Sequence, residues 1–256
     1  MAHYSIINLE FKTDIYSLDD KFRVEKAQEC LFSLLMDHQI NTIHGIESYQ
    51  LADSFSHILR KNADVMLVND DWTKAVILPL MNRDNVLSLS CMLFYTHAVQ
   101  RNILYFHSSL ISSNGNGLMF LGPSGIGKTT QAELWNQYRD ALIINGDVVF
   151  VEERESLYYG WGTPWHGSSP YCENTSVPVK ALIVLKQGDE NSIREMHGFE
   201  KVTAVSESVF YPKWLDGGME MSLAVLNRLL STLPVYEFIN KADEESVDLV
   251  ERVVLG

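Results

Sequence analysis

The chain has 256 residues, of which 46% are hydrophobic, so it is long enough to bury the core of one large domain or two small ones. Its 20 Lys and Arg residues against 33 Asp and Glu give a formal net charge of −13, so the surface as a whole repels nucleic acid and anionic lipid. No window reaches the roughly 18 apolar residues of a membrane span, and the N-terminus lacks a secretory pattern. The scattered Cys30, Cys91 and Cys172 fit buried, reduced thiols, so we expect a cytoplasmic protein without a zinc site.

Residues 1–99 predict an N-terminal α/β region whose role the sequence does not indicate. Strand-like runs cover 4–11 and 64–79, and the "NDDW" inside the second run predicts a hairpin turn at Asp70 and Asp71. Helical patterns are predicted around 19–38 and 86–102.

Residues 100–256 predict a second domain with a mixed α/β layer fold. The predicted strands cover 103–111, 118–122, 141–151, 178–188 and 234–239. The predicted helices cover 128–138, 198–209, 219–231 and 244–255. The segment 155–177, rich in Gly, Pro, Ser and aromatic residues, predicts a long loop near the site.

Between the second of these strands and the first helix, "GPSGIGKT" fits the phosphate-loop pattern G-x-x-x-x-G-K-[ST] without a mismatch. Its strand and helix flanks are those the mechanism needs, because backbone N–H groups and the helix N-terminus face the phosphates. We therefore expect ATP with Mg²⁺, with Lys128 at the β- and γ-phosphates and Thr129 on the metal. The predicted nucleotide-binding residues are Gly122, Pro123, Ser124, Gly125, Ile126, Gly127, Lys128, Thr129 and Thr130.

Asp147, at the end of the apolar run "LIIN" and one Gly, is the candidate carboxylate for the metal or for a proton. Asp147 follows Lys128 by nineteen residues. In GTPase switches and motor ATPases the equivalent Asp usually comes later, after further strands, so the spacing argues against those classes. Small-molecule kinases keep this short spacing but usually begin with the loop, whereas 121 residues precede it here.

The strings "FHSSLISSNGNGLMFLGPSGIGKTTQAELW", "LIINGDVVFV", "GTPWHG" and "VPVKALIVLKQG" resemble the HPr kinase/phosphorylase and phosphoenolpyruvate carboxykinase superfamily, in particular its short bacterial HPr kinase-like members. The resemblance covers about residues 100–256 and implies the C-terminal core fold of that superfamily. It implies that His107 points into the site and that Gly162–Gly167 form a wall near substrate or nucleotide, with Trp165 and His166 as contacts.

One departure from the resemblance concerns the paired Asp residues of the bifunctional HPr kinases, which read Gly146-Asp147 here. The resemblance makes Asp147 the base that acts on the substrate hydroxyl. In the bifunctional enzymes, phosphate also attacks the phosphoserine of the product and releases pyrophosphate. With one metal contact missing, this reverse reaction should be lost more completely than forward transfer from ATP, unless another residue such as Asn145 replaces the missing ligand.

The sequence thus predicts an ATP-dependent kinase for a Ser or Thr hydroxyl of a small protein or peptide, with Asp147, His107 and Lys128 as catalytic residues and Thr129 and Asp147 on Mg²⁺. By resemblance, a ribosomal peptide precursor is a candidate acceptor, and a homo-oligomer is allowed. Two alternatives stay open, a kinase for a small-metabolite hydroxyl and a nucleotide-binding regulator without transfer activity. No nucleic-acid or membrane partner is expected.

Overall fold

The computed structural model describes residues 1–15, 17–26, 28–37, 55–78 and 83–256. These divide into two compact units, Met1–Arg101 with Pro212–Gly218, and Asn102–Tyr211 with Met219–Gly256. The segment Pro212–Gly218 groups with the first unit, where the Trp214 indole N–H donates to Thr96 Oγ1 at 2.9 Å. One boundary near residue 99 therefore does not separate the two units, because this later segment belongs to the first unit.

The first unit is a seven-stranded mixed sheet with one helix among its described residues. Its strands are β1 (Ala2–Ile6), β2 (Leu9–Thr13), β3 (Arg23–Val24), β4 (Cys30–Met36), β5 (Phe55–Lys61), β6 (Asp64–Asn69) and β7 (Lys74–Leu78), in the order β3-β1-β2-β4-β7-β6-β5. Helix α1 (Arg83–Val99) confirms the second helical pattern. The turn between β6 and β7 is also confirmed, since Asp71 accepts from the Thr73 backbone N–H at 3.1 Å.

The helix predicted around 19–38 is wrong. That stretch contains a short 3₁₀ turn (Asp20–Phe22), β3 and β4, while residues 27 and 38 lie outside the described residues. β4 runs parallel to both β2 and β7, and its alternate residues Phe32 and Leu34 are buried. Short apolar runs do not distinguish helix from strand, so the pairing with two neighbours decides the conformation.

The second unit is a nine-stranded mixed sheet with four helices among its described residues. Its strands are β8 (Ile103–Ser113), β9 (Asn116–Leu121), β10 (Leu142–Asn145), β11 (Val148–Arg154), β12 (Leu157–Trp161), β13 (Ser176–Gln187), β14 (Ser192–Glu195), β15 (Val209–Phe210) and β16 (Val235–Asn240). Its helices are α2 (Lys128–Arg139), α3 (Gly198–Ser206), α4 (Gly218–Thr232) and α5 (Glu244–Val250), the last continuing into a π-helical turn, Glu251–Leu255.

Alternate residues of the central strands pack into two apolar clusters, which therefore lie on opposite faces of the sheet. Leu110 and Met119 join one cluster with Leu226 and Leu229 of α4. The other cluster contains Ile111, Phe120, Trp135 of α2 and Val250 of α5. Helices thus cover both faces, as the predicted layered α/β fold requires.

The central strand β8 changes partners along its length. Residues up to His107 pair with β11, and residues from Ser108 onward pair with β9, with β10 on the other side. β9, β13 and β16 are parallel to one another, so their carboxyl ends meet at one edge. The connections after β9 and β10 both emerge beside the point where β8 changes partners.

Two strand-level predictions need correction. The run 141–151 is divided into β10 and β11 by Gly146 and Asp147. The predicted long loop 155–177 contains β12, which pairs with β11 and β13. Gly160 is typical of a loop in the sequence, but it lies in β12. A larger residue would not fit there, since an added Cβ would lie 2.8 Å from Leu110 Cδ2.

Cys91 and Cys172 are buried as expected, whereas Cys30 is only half-buried and lies 3.7 Å from His3 Nδ1. Of the helices in the described ranges, none has the length and apolar character that a membrane crossing needs.

Candidate active site

The glycine-rich loop joins β9 to α2, and three of its glycines have positive φ. Gly122, Gly125 and Gly127 have φ of 137°, 80° and 112°, values that L side chains rarely adopt. Gly127 is the N-cap of α2 and supplies no side-chain acceptor, so the first N–H groups of the helix have no cap of that kind. The loop therefore presents backbone donors and a positive helix end, which fit a phosphate chain.

Lys128, the first residue of α2, folds back onto this loop. Its ammonium donates to Gly122 O at 3.0 Å and Pro123 O at 3.2 Å, and the side chain is only 6% exposed. Burial lowers the pKa of Lys128, and the Asp147 carboxylate opposes that shift. A partly desolvated cation bonded to neutral carbonyls is a group that a bound anion would stabilise.

His107 connects Lys128 to Asp147. Lys128 Nζ lies 2.9 Å from His107 Nε2, and His107 Nδ1 lies 3.0 Å from Asp147 Oδ1. Because an ammonium can only donate, Nε2 is the acceptor and Nδ1 carries the proton that Asp147 accepts. The imidazole and the carboxylate are each a little over a quarter exposed, so the end of this Lys–His–Asp chain is open to a reactant.

Thr129 follows Lys128 in α2, and its hydroxyl donates to Gly146 O at 3.2 Å. The oxygen keeps lone pairs for a metal. Within the part of the chain that the structure describes, no three His, Cys, Asp or Glu residues are arranged to hold a metal ion. The Thr129 hydroxyl and the Asp147 carboxylate nevertheless fit Mg²⁺, which uses one or two protein oxygens and completes its shell with phosphate and water. Thr129 and Asp147 are the residues that would hold it.

Asn145, predicted from the sequence only as a substitute metal ligand, is a positioning residue. Its fully buried side chain accepts from the backbone N–H groups of Asp147 at 2.8 Å and Val148 at 2.9 Å, and donates to Thr163 O at 2.9 Å. Both ends of the amide are therefore occupied, and Asn145 fixes the turn that carries Asp147. Its position directly before the Gly-Asp pair was the available signal.

The segment Thr163–Ser169 packs directly against this turn. Trp165 is 5% exposed, and its ring centroid lies 6.0 Å from that of Phe150, so the side chain is buried; its contact with a ligand stays a prediction. His166 is half-buried, and its Nδ1 bonds to Ser169 O.

Two glycines set how closely the segment approaches. A Cβ on Gly167 would lie 2.4 Å from Asp147 Oδ2, and a Cβ on Gly146 would lie 2.0 Å from Ser169 Oγ. In the sequence, Gly146 stands out only for the carboxylate it lacks, because these two close approaches form between segments about twenty residues apart.

A cavity of about 340 Å³ lies at the α2 side of the loop, where the parallel strands end. Its lining includes Gly125, Gly127, Thr130, Asn240 and Lys241. Ser124 and Thr130, the remaining polar residues of the predicted binding set, are exposed. The loop residues Gly125, Ile126 and Gly127 therefore form part of the wall of this cavity.

Three comparisons with known proteins bear on this chain. A search of curated proteins found no match. Among solved structures, the HPr(Ser) kinase/phosphatase from Coxiella burnetii is similar at 11% identity and a TM-score of 0.34, over 59% of this chain and 93% of that one. That similarity is too distant to carry an argument about activity. The family model described as SynChlorMet cassette protein ScmC matches residues 75–236, more than half of the sequence. The chain therefore belongs to the ScmC family.

Proposed function

We propose that the protein is a kinase that transfers the γ-phosphoryl group of ATP to a Ser or Thr hydroxyl of a small protein or peptide. The observation that carries the proposal is the hydrogen-bonded chain from Lys128 through His107 to Asp147 at the mouth of the glycine-rich loop. It combines a cation for phosphate with a carboxylate for a proton, the two groups that phosphoryl transfer to an alcohol needs.

The loop and the start of α2 supply the phosphate-binding part. Backbone N–H groups around Gly125–Thr129 would bind the phosphates, while Lys128 would exchange its bonds to Gly122 O and Pro123 O for phosphate oxygens. The 340 Å³ cavity beside Thr130 would hold the nucleoside, because Gly125, Ile126 and Gly127 of the loop form part of its wall.

Asp147 supplies the proton acceptor. The acceptor oxygen bonds to the γ-phosphorus, the bond to the bridging oxygen breaks, ADP leaves, and the hydroxyl proton passes to Asp147. His107 keeps one carboxylate oxygen hydrogen-bonded and leaves the other for this proton. Mg²⁺, when held by Thr129 and Asp147, neutralises phosphate charge.

The test is transfer from radiolabelled ATP, with Mg²⁺, to a library of Ser- and Thr-containing peptides. Wild type should label peptides, and ATP turnover should rise when they are added. Asp147→Asn should lower transfer roughly 10²-fold or more while ATP still binds. Asp140→Asn, a change of the same kind at the exposed C-cap of α2, is the matched control.

ATP turnover that peptides do not accelerate, or equal transfer by Asp147→Asn, would overturn the proposal. Acceleration by small alcohols and not by peptides would favour a metabolite kinase.

A further inference from the structure

A second cavity, of about 570 Å³, borders the glycine-rich loop at Gly122, Pro123 and Ile126. It is lined mainly by apolar groups, among them Pro123, Ile126, Val184, Met196, Phe199 and Ala204. Phe199, on the first turn of α3, is 85% exposed, which is unusual for a phenyl ring without a partner. An apolar cavity beside an exposed aromatic ring fits an apolar ligand group.

This cavity shares a single described lining residue, Ile126, with the 340 Å³ cavity. Its wall includes Gly122 and Pro123, whose carbonyls hold the Lys128 ammonium. It also includes Glu207, and the next residue, Ser208, accepts from the His107 backbone N–H at 2.8 Å. The wall of the cavity therefore includes two residues that hold the Lys128 ammonium and one that adjoins the backbone partner of His107.

The charged residues at the rim of the 570 Å³ cavity indicate which charge a ligand would carry beside its apolar group. Glu237 bonds to Lys186 and Arg194, and Arg194 also bonds to Glu200, so these charges are paired. Glu207 is exposed, and the described residues offer it no ion-pair partner. A ligand with a cation near its apolar group would complement this carboxylate.

We propose that the 570 Å³ cavity is the acceptor-recognition site, which takes an apolar side chain of the peptide near the phosphorylated Ser or Thr, with a Lys or Arg of the peptide at Glu207. This rests on the proposed kinase function and adds the class of acceptor, a peptide with an apolar and a basic residue flanking the hydroxyl. Phe199 and Glu207 become specificity-determining residues.

The experiment uses the full chain, ATP with Mg²⁺, and peptides with one central Ser in which each flanking position in turn is Leu, Phe, Lys, Asp or Gly. Wild type should prefer Leu or Phe at one position and Lys at another. Thr203→Trp, which fills the cavity, should raise KM for the Leu and Phe peptides about tenfold with little change in kcat, because binding distant from the reacting atoms is lost.

Val202→Trp is the matched control, since Val202 is its neighbour on α3, is exposed, and does not line the cavity. Phe199→Ser is a second variant that removes the exposed ring. Because Phe199 is so exposed, its loss should have little effect on folding. Glu207→Lys should reverse the preference from Lys to Asp peptides, and Glu220→Lys, an exposed change elsewhere, should not.

The outcomes distinguish this inference from the kinase proposal. Labelling with no apolar preference, or a preference that survives in both Thr203→Trp and Phe199→Ser, overturns the acceptor site and leaves the kinase standing. Labelling of no peptide overturns both.

Discussion

Gly167→Ala tests whether the position of Asp147 governs transfer. Gly167 has φ of +57°, so a side chain there costs about 1–2 kcal/mol of stability from backbone strain. The added Cβ would also lie 2.4 Å from Asp147 Oδ2, whereas ordinary contact begins at 3.4 Å, so the carboxylate must move by about 1 Å. A shift of that size would disturb the 3.0 Å contact of Asp147 Oδ1 with His107 Nδ1.

A displacement of this size costs roughly 10²-fold in rate when the displaced group acts on the reacting atoms. We therefore expect transfer to peptide to fall about 10²-fold, while ATP affinity measured by calorimetry stays within about threefold, since the loop amides and Lys128 are unchanged.

Gly115→Ala is the control for strain alone. Gly115 has φ of +77° at the tip of the β8–β9 hairpin, and nothing lies within 4 Å of an added Cβ. Both variants should show a similar loss of stability in thermal unfolding, and only Gly167→Ala should lose transfer. If the two variants transfer at the same rate, the carboxylate position does not govern the reaction.

Further expectations concern the loop, the turn and the reverse reaction. Lys128→Ala should weaken ATP binding at least tenfold, about 1.4 kcal/mol, and unchanged calorimetric affinity would refute the loop assignment. Asn145→Ala should destabilise the protein by roughly 3 kcal/mol in denaturant unfolding, because three backbone groups lose their partner; a change below about 1 kcal/mol would contradict this. Phosphorylated acceptor incubated with enzyme, Mg²⁺ and millimolar phosphate should release no pyrophosphate, and release near the forward rate would disprove one-way transfer. Gly146→Asp should not restore that release, since Ser169 occupies the space for its Cβ.

The sequence predicted those parts of the site that depend on local chain order. A strand, a loop with glycines at fixed spacing and a helix follow one another directly, so "GPSGIGKT" determines the backbone around Lys128. His107 and Asp147 were placed by resemblance, and the structure brings both to Lys128.

Features that depend on contacts between distant segments were beyond the sequence. The conformation of β4 is decided by parallel neighbours on both sides, which a short apolar run does not reveal. The approach of Ser169 to Gly146 requires knowing that β10 and the segment after β12 lie side by side. A glycine required by a neighbour's side chain looks in sequence like a glycine required by a turn.

The change of partners along β8 has a consequence for folding. His107 is ordered by the pairing with β11, whereas the glycine-rich loop is carried by β9, which pairs with the other half of the same strand. The two hydrogen-bond ladders join at residues 107 and 108 and nowhere else along β8. A folding intermediate with only one ladder would hold either the imidazole or the loop, never both. Phosphoryl transfer should therefore return during refolding only after both ladders have closed, later than the first sheet signal, as expected for pairings distant in sequence.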